Sequence, residues 1–433
     1  MNIIDLFQTT NPDLPAWKRI SYGIEHAVAD GAIAIGMRLP SERTLARQLG
    51  KSRTTVVAAY DDLQMKGIIR RYVGRGSFIA GGIETPNAPF AWAGKIARGF
   101  HAAPDYETAF SSPLPHDDLS AAIGHVIRCR RYEPAPVEGE PKLREAIADY
   151  AGCAPDEVLV TNGVQQSLDL VARYLLDPKD TVIVEQPGHT GAFQAFRTSR
   201  AQLVGWNAPA WNIAELQHLI VRHKPKLIYT NPTFHNPTGA TMSIETRREF
   251  LATAAVLAVP VIEDDTYSKL HWNRQAPPSL HALDQNDMVI RVGSFSMILT
   301  PGIRLGYIIA PRRIVRDLAT LKRISAGPTD AITQRAICEL LLNGVIDDHL
   351  ETLRREHQQR YQSLARTLSN SEIRHVAPYG GMYVWLRLPP EKTQLAKSGI
   401  THGSRFYPAP YVSPHVRLSL ASPHENALST LAA

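Results

Sequence analysis

Gly293-Ser294-Phe295-Ser296-Met297-Ile298-Leu299-Thr300-Pro301-Gly302-Ile303-Arg304-Leu305-Gly306-Tyr307 links two apolar runs, Val289 to Gly293 and Leu305 to Ala310. Both runs are too short for helices and are bounded by Gly- and Pro-marked turns, so they read as buried strands. The turn between them carries two hydroxyls, Ser294 and Ser296, and one guanidinium, Arg304, a set suited to a phosphate. At its centre stands Met297, a thioether with no charge and no exchangeable proton.

The same pattern recurs upstream. Val158 to Thr161, Thr181 to Glu185, Lys226 to Thr230 and Val259 to Glu263 read as further buried strands, separated by helical stretches such as Gln165 to Leu176 and Ile244 to Ala255. Strands alternating with helices predict a mostly parallel sheet covered on both faces, with ligands held at the carboxyl ends of the strands. Thr161-Asn162-Gly163-Val164-Gln165 is one such end, where a helix N-terminus can hold a phosphate, although a lone glycine turn is often only structural. A second, Asn231 to Gly239, is a Pro-rich turn presenting Asn236. A third, Glu263-Asp264-Asp265-Thr266-Tyr267, offers acids and a phenol directly after an apolar strand. Near the C-terminus Val416-Arg417-Leu418-Ser419 sets an arginine in a β-prone run.

The 433 residues suggest about three domains, and 44% hydrophobic with 20% charged residues is ordinary globular composition. No apolar stretch approaches the roughly 18–20 residues of a membrane span. Met1 to Asp5 lacks the basic start of a secretory signal, so a cytoplasmic setting is expected. Cys129, Cys153 and Cys338 fit neither a disulfide framework nor a zinc site.

The net charge of +6 is concentrated. Gly36 to Arg75 holds nine basic residues (Arg38, Arg43, Arg47, Lys51, Arg53, Lys66, Arg70, Arg71, Arg75) against Glu42, Asp61 and Asp62, so this window alone carries +6. Such a patch fits a phosphate backbone or a merely solvated face. The pattern favours DNA. Trp17 to Asp30 has helical spacing of Ile20, Ile24, Ala27 and Val28. Leu39-Pro40-Ser41-Glu42-Arg43 starts a helix to Leu49, Gly50-Lys51 turns, and Ser52 caps a third helix to about Lys66 with Val56, Val57, Tyr60 and Leu63 inward. Gly67 ends it, and Ile68 to Tyr72 and Ser77 to Ala80 form a wing. In this arrangement Ser52, Arg53, Thr54 and Thr55 head the helix that enters the major groove. Residues 81–112 read as a linker, able to span tens of ångströms when extended.

Leu-Pro-Ser-Glu-Arg, Leu-Ala-Arg-Gln-Leu-Gly, Ser-Arg-Thr-Thr-Val and Gly-Arg-Gly-Ser-Phe, between Pro15 and Ala80, resemble the GntR-superfamily winged helix-turn-helix. The resemblance implies DNA contacts from Arg43, Arg47, Arg53, Thr54 and Thr55, with Arg75 and Gly76 on the wing; a surface salt bridge is the alternative for any one arginine. The later motifs, in their order, resemble the α/β fold-type I aminotransferases that bind pyridoxal 5'-phosphate (PLP). Together the two parts look like a MocR-type regulator. This implies a winged-helix domain over 1–80 and a transferase-like domain over 113–433, its large part to about 320 and a smaller C-terminal α/β part beyond. It also implies roles. The Val164 and Gln165 amides, Ser294, Ser296 and Arg304 would cradle the phosphate, and Asp264 would pair with the pyridine nitrogen. Asn236 and Tyr267 would meet the ring hydroxyl, His189 would stack on the ring, and Arg417 would take an amino-acid carboxylate. A homodimer is implied as well.

One departure decides the chemistry. The family has lysine seven residues before the phosphate arginine, and Met297 occupies that position. The lysine would form the Schiff base with the cofactor aldehyde and carry protons. No covalent attachment can form through a thioether. Lys269, two residues after Tyr267, is the only substitute the motifs suggest. The expectation is therefore a DNA-binding regulator that senses PLP, a related B6 vitamer or an amino-acid adduct non-covalently. A working aminotransferase, a repressor with a relic dimerisation domain, and an introduced rather than natural Met297 are the alternatives.

Overall fold

The computed structural model describes residues 14–29, 33, 36–72, 76–80, 116–130, 132–369, 371–389 and 400–421. The chain divides into two compact units, Met1–Ala103 and Pro104–Ala433. The expected linker over 81–112 and the wing residue Arg75 lie outside the described residues.

In the first unit, helices Ala16–Ala29, Glu42–Leu49 and Arg53–Met65 precede a hairpin of β1 (Ile69–Tyr72) and β2 (Gly76–Ile79), antiparallel with Ile69 opposite Ile79. Local chemistry sets the boundaries. Ser41 Oγ accepts from the Thr44 amide at 3.2 Å and Ser52 Oγ from the Thr55 amide at 3.1 Å, each satisfying an amide that has no helical partner. Gly50 closes the second helix at φ 61°, and Gly67 follows the third at φ 65°. Ile20, Ile24, Leu45, Val56, Ala59, Tyr60 and Leu63 form the core with Ile69 and Ile79. Val57 corrects the expected inward stripe: it is half-buried and lies with Arg53, Thr54, Ala58 and Asp61 on the outer face, and Ala59 takes the inner place. At 100° per residue, Val57 falls beside the stripe through 56, 60 and 63.

The second unit is built on a seven-stranded sheet. Its strands are β3 (Val158–Thr161), β4 (Thr181–Gln186), β5 (Gln202–Asn207), β6 (Leu227–Thr230), β7 (Val261–Asp264), β8 (Val289–Ser294) and β9 (Gly306–Ile309), ordered β3-β9-β8-β7-β6-β4-β5. β4 through β8 pair in parallel, while β9 runs against both of its neighbours. Alternation sends side chains into two layers. Val182 and Val184 pack with Leu168, Phe193 and Phe196, whereas Ile183 packs with Trp206, Leu216 and Phe250. β5 was not anticipated, because Gly205 and Asn207 interrupt its apolar run; a Cβ at Gly205 would fall 1.8 Å from Gln186 Oε1. β7 begins two residues later than expected, since the Val259 amide still bonds to the preceding helix at Ala254 and Pro260 has no amide to offer.

A second, antiparallel sheet follows: β10 (Arg374–His375), β11 (Tyr383–Arg387), β12 (Ile400–His402) and β13 (His415–Ser419), in the order β10-β11-β13-β12. It packs on helix Val345–Leu368 through Leu364, Leu368, Val384, Leu386 and Leu418. The chain does not break at residue 320, because helix Arg312–Ser325 continues through it with Val315, Leu318 and Ala319 on the large sheet. Among the described residues, no helix is long and apolar enough to cross a membrane.

Lys322 on that helix is 0% exposed, and its ammonium donates to the Val137 and Val160 carbonyls at 2.7 and 2.8 Å. Burial pulls it down to about 8 from an ordinary 10.5, so between these values the native state binds fewer protons than the unfolded one and stability rises with pH. Urea unfolding of the parent and Lys322→Met should show the parent gaining roughly 2 kcal/mol on the variant from about pH 8 to about pH 9.5. A pH-independent difference contradicts a strained ammonium.

Candidate functional site

The carboxyl ends of β3, β7 and β8 and the turn after β6 supply the site. β3 ends at Thr161, and Gly163 at φ 83° opens helix Val164–Leu175 without any side-chain cap. The Val164 and Gln165 amides therefore have no acceptor within their helix. Over this end stands Arg304, held at φ 48°, with Nη2 donating to the Asn162 carbonyl at 3.3 Å. A Cβ on Gly163 would come within 3.3 Å of Nη2, and one on Gly306 within 2.8 Å of Gly163 Cα, so only glycine permits the approach. From the β8 end, Ser294 Oγ donates to the Leu305 carbonyl at 3.4 Å and accepts from the Ser296 amide at 3.2 Å. Ser296 Oγ is buried and makes no hydrogen bond among the described residues. A buried orphan hydroxyl, a helix N-terminus and a guanidinium together fit a phosphate.

Asp264 ends β7, 3% exposed. Its Oδ2 accepts from the Tyr229 hydroxyl at 2.8 Å, and its Oδ1 accepts from the Thr266 hydroxyl at 2.6 Å and amide at 3.2 Å. Asn231 bridges Asp264 to the Pro-rich turn: Nδ2 donates to the Asp264 carbonyl at 2.6 Å, and Oδ1 accepts the Asn236 amide at 2.7 Å. Asn236 Nδ2 reaches the Tyr267 hydroxyl at 3.4 Å and His189 Nδ1 at 3.3 Å, while Oδ1 accepts from Arg417 Nη1 at 2.8 Å. Burial holds the His189 imidazole below its ordinary value, hence neutral, and keeps the Tyr267 phenol well above its own. Gln165 Nε2 donates to the Gly191 carbonyl at 3.0 Å and ties the helix end to the His189 turn.

Arg417 on β13 is 1% exposed, its Cζ 4.1 Å from the Tyr383 ring and 4.8 Å from that of Phe406. Burial lowers this guanidinium to about 9, so a carboxylate would find an ion already stripped of water. Thus Asn236, Tyr267, His189 and Arg417 meet directly, and Asp264 joins them through Asn231. Met297 is half-buried against the cluster containing Phe295, Ile298 and Tyr267, and it brings no amine. Lys269 does not replace it: the ammonium donates to the Tyr150 carbonyl at 2.8 Å and lies 4.3 Å over the Tyr150 ring.

Sequence reasoning missed Tyr229, Asn231, Thr266, Glu185 and His235. Glu185, fully buried at the end of β4, accepts from Trp211 Nε1 at 2.8 Å, the Thr230 hydroxyl at 2.6 Å and the Asn231 amide at 2.8 Å, and lies 3.1 Å from His235 Nε2. Burial alone would raise this carboxyl, but His235 and the other donors hold it below its usual range. A phenol at Tyr229 inside an otherwise apolar strand was the available hint.

In the first unit, Arg43, Arg47, Arg53 and Thr54 are exposed and Thr55 is half-exposed. Ser52 is engaged as the cap, also meeting the Thr54 and Thr55 hydroxyls at 2.8 Å, so its hydroxyl sets the helix start. Gly76 sits at φ 99° against Arg38, where a Cβ would be 3.1 Å from Nε. Arg71 braces the same helix through Asp61 at 2.8 Å.

Residues 128–433 match the family model for class I and II aminotransferases, and residues 18–79 match that for bacterial regulatory proteins of the gntR family. The chain is 29% identical over 414 residues to the HTH-type transcriptional regulator YdfD of Bacillus subtilis (strain 168), itself uncharacterized, covering 87% of this chain and 85% of that protein. It is 27% identical over 383 residues to the probable rhizopine catabolism regulatory protein MocR of Rhizobium meliloti, covering 80% and 76% respectively. The crystal structure of LysN, the alpha-aminoadipate aminotransferase of Thermus thermophilus, complexed with N-(5'-phosphopyridoxyl)-L-leucine, matches with a TM-score of 0.68 and 29% identity. That likeness covers 75% of this chain and 89% of LysN.

Arg53 has 72% of its side chain exposed and contacts Glu42 at 3.5 Å. Arg53→Ala should weaken binding to a duplex selected by the parent from a random library, by about 1–3 kcal/mol for a bidentate guanine contact, and relax base preference at one position. Equal affinities by fluorescence anisotropy place Arg53 outside the groove.

Proposed function

This chain belongs to the class I and II aminotransferase family and carries a gntR-family head, and from that premise we propose a transcriptional regulator that reads a B6 vitamer without turning it over. Its MocR-type architecture joins a DNA-binding module to a domain whose family binds PLP. The reading rests on one observation: Met297 stands in a turn that keeps Ser294, Ser296 and Arg304. That turn offers groups suited to a phosphate, and position 297 offers no amine for an aldehyde.

When bound, PLP would supply an electron-withdrawing ring and an aldehyde. The chain's own residues bind and orient. Ser296, Arg304 and the Val164 and Gln165 amides would take the phosphate. Asp264, fixed by Tyr229 and Thr266, would hold a proton on the pyridine nitrogen. Asn236 and Tyr267 would face the ring hydroxyl, His189 would stack, and Arg417 would grip the carboxylate of an amino-acid adduct. A thioether at 297 fills space and transfers no proton, so occupancy changes without chemistry following. In this proposal the regulator is a cytoplasmic homodimer, and ligand binding biases how its two heads address operator DNA through Arg43, Arg47, Arg53, Thr54 and the wing at Arg75 and Gly76.

Equilibrium dialysis against PLP, pyridoxine phosphate and pyridoxamine phosphate should give saturable binding of at least one, at about one per chain. No binding of any overturns the sensor. Met297→Lys should add an aldimine band with PLP, which borohydride converts into an adduct retained on the denatured chain, and the parent should show neither. A chain-bound reduced adduct in the parent, or none in the variant, contradicts the role assigned to position 297.

A further inference from the structure

On the third helix of the first unit, Arg53, Thr54, Val57, Ala58 and Asp61 line one shallow depression. They fall at i, i+1, i+4, i+5 and i+8, so a single helical face carries all five. A merely solvated face is polar throughout. This one has an apolar floor, Val57 and Ala58, both half-buried, set between charged ends. At one end Arg53 is largely exposed. At the other, Asp61 is paired with Arg71, whose Nη1 lies 2.8 Å from its Oδ1 and whose Nη2 donates to the Val57 carbonyl at 3.4 Å. Arg71 stands on β1, so the wing braces this floor and offsets the repulsion that an unpaired acid would offer a phosphate. Thr54 engages its hydroxyl with that of Ser52 at 2.8 Å.

Neither floor side chain is longer than valine, so the edge of a bound molecule can approach the helix closely. In the major groove the bases present donors and acceptors, and thymine alone adds an apolar group, its C5-methyl. An apolar floor ringed by the exposed guanidiniums of Arg43, Arg47 and Arg53 is complementary to that combination of a methyl and surrounding phosphates. We propose that Val57, with Ala58, seats a thymine methyl and is a specificity-determining residue of this regulator. Four residues at 1.5 Å each set Val57 about 6 Å along the helix from Arg53. Base pairs stack about 3.4 Å apart, so the thymine falls within about two base pairs of the base that Arg53 meets. This rests on the DNA-binding role proposed for the same helix.

The test takes the duplex that the full-length parent selects from a random library and replaces each thymine in turn by uracil. Uracil lacks the methyl and keeps every hydrogen-bonding group, and because that methyl lies in the major groove, wing contacts in the minor groove do not register. At one position in a half-site, uracil should lower the parent's affinity about fourfold, the order of one buried methyl. Val57→Ala should bind the thymine duplex about fourfold more weakly than the parent does, yet the uracil duplex within about twofold, because both changes remove the same contact. The uracil scan of the parent needs no variant to fold. Absence of any uracil-sensitive thymine, or equal changes for Val57→Ala on the two duplexes, overturns the methyl seat while leaving DNA binding intact. A parent that selects no duplex overturns the DNA-binding reading itself, and the seat with it.

Discussion

A carboxylate stripped of water is tolerable only when donors meet its lone pairs, and Glu185 is fully buried at the end of β4. It is met by an indole, a hydroxyl, a backbone amide and an imidazole drawn from Trp211, Thr230, Asn231 and His235. Those three donors and the neighbouring imidazole fix where the chain leaves β6 and how it turns. Asn231, anchored by its amide, commits its side chain to the Asp264 carbonyl and the Asn236 amide. The proposed pyridine partner and the proposed ring-hydroxyl partner are thereby held relative to each other by one buried charge. Asn236 passes the constraint on to Tyr267, His189 and Arg417.

Much of this was legible in the order of residues. Buried parallel strands leave short apolar runs, so β3, β4, β6, β8 and β9 could be located, and the residues at their carboxyl ends were the ones to inspect. Ser41, Ser52, Gly50 and Gly67 marked helix boundaries because capping is local. What stayed illegible was non-local or cryptic. Glu185 and His235 are far apart in the chain, and only the β4–β6 pairing brings them together. Tyr383 meets Tyr267 from a different sheet. β5 escaped because its glycine answers to the neighbouring Gln186 side chain, and Val57 because one residue's error in helical phase moves a side chain from core to surface.

The two units divide the chemistry. The winged helix concentrates the chain's positive charge and exposes Arg43 and Arg47 on its second helix and Arg53 at the start of its third, a surface whose affinity for nucleic acid should fall with salt. The larger unit carries the residues proposed to grip a phosphorylated pyridine, with Arg304 over Gly163 and a buried Ser296 hydroxyl that makes no hydrogen bond among the described residues. Met297 is close in length to a lysine and packs beside Phe295 and Ile298, so losing the amine need not cost the pocket its shape. In the proposed function a thioether at 297 leaves affinity untied to turnover.

The most direct test of non-covalent recognition is a paired mass measurement after incubation with one equivalent of PLP. Native mass spectrometry should show one vitamer per chain, and the same sample, treated with borohydride and then denatured, should return the unmodified polypeptide mass. A reduced adduct retained on the denatured parent chain would contradict the account.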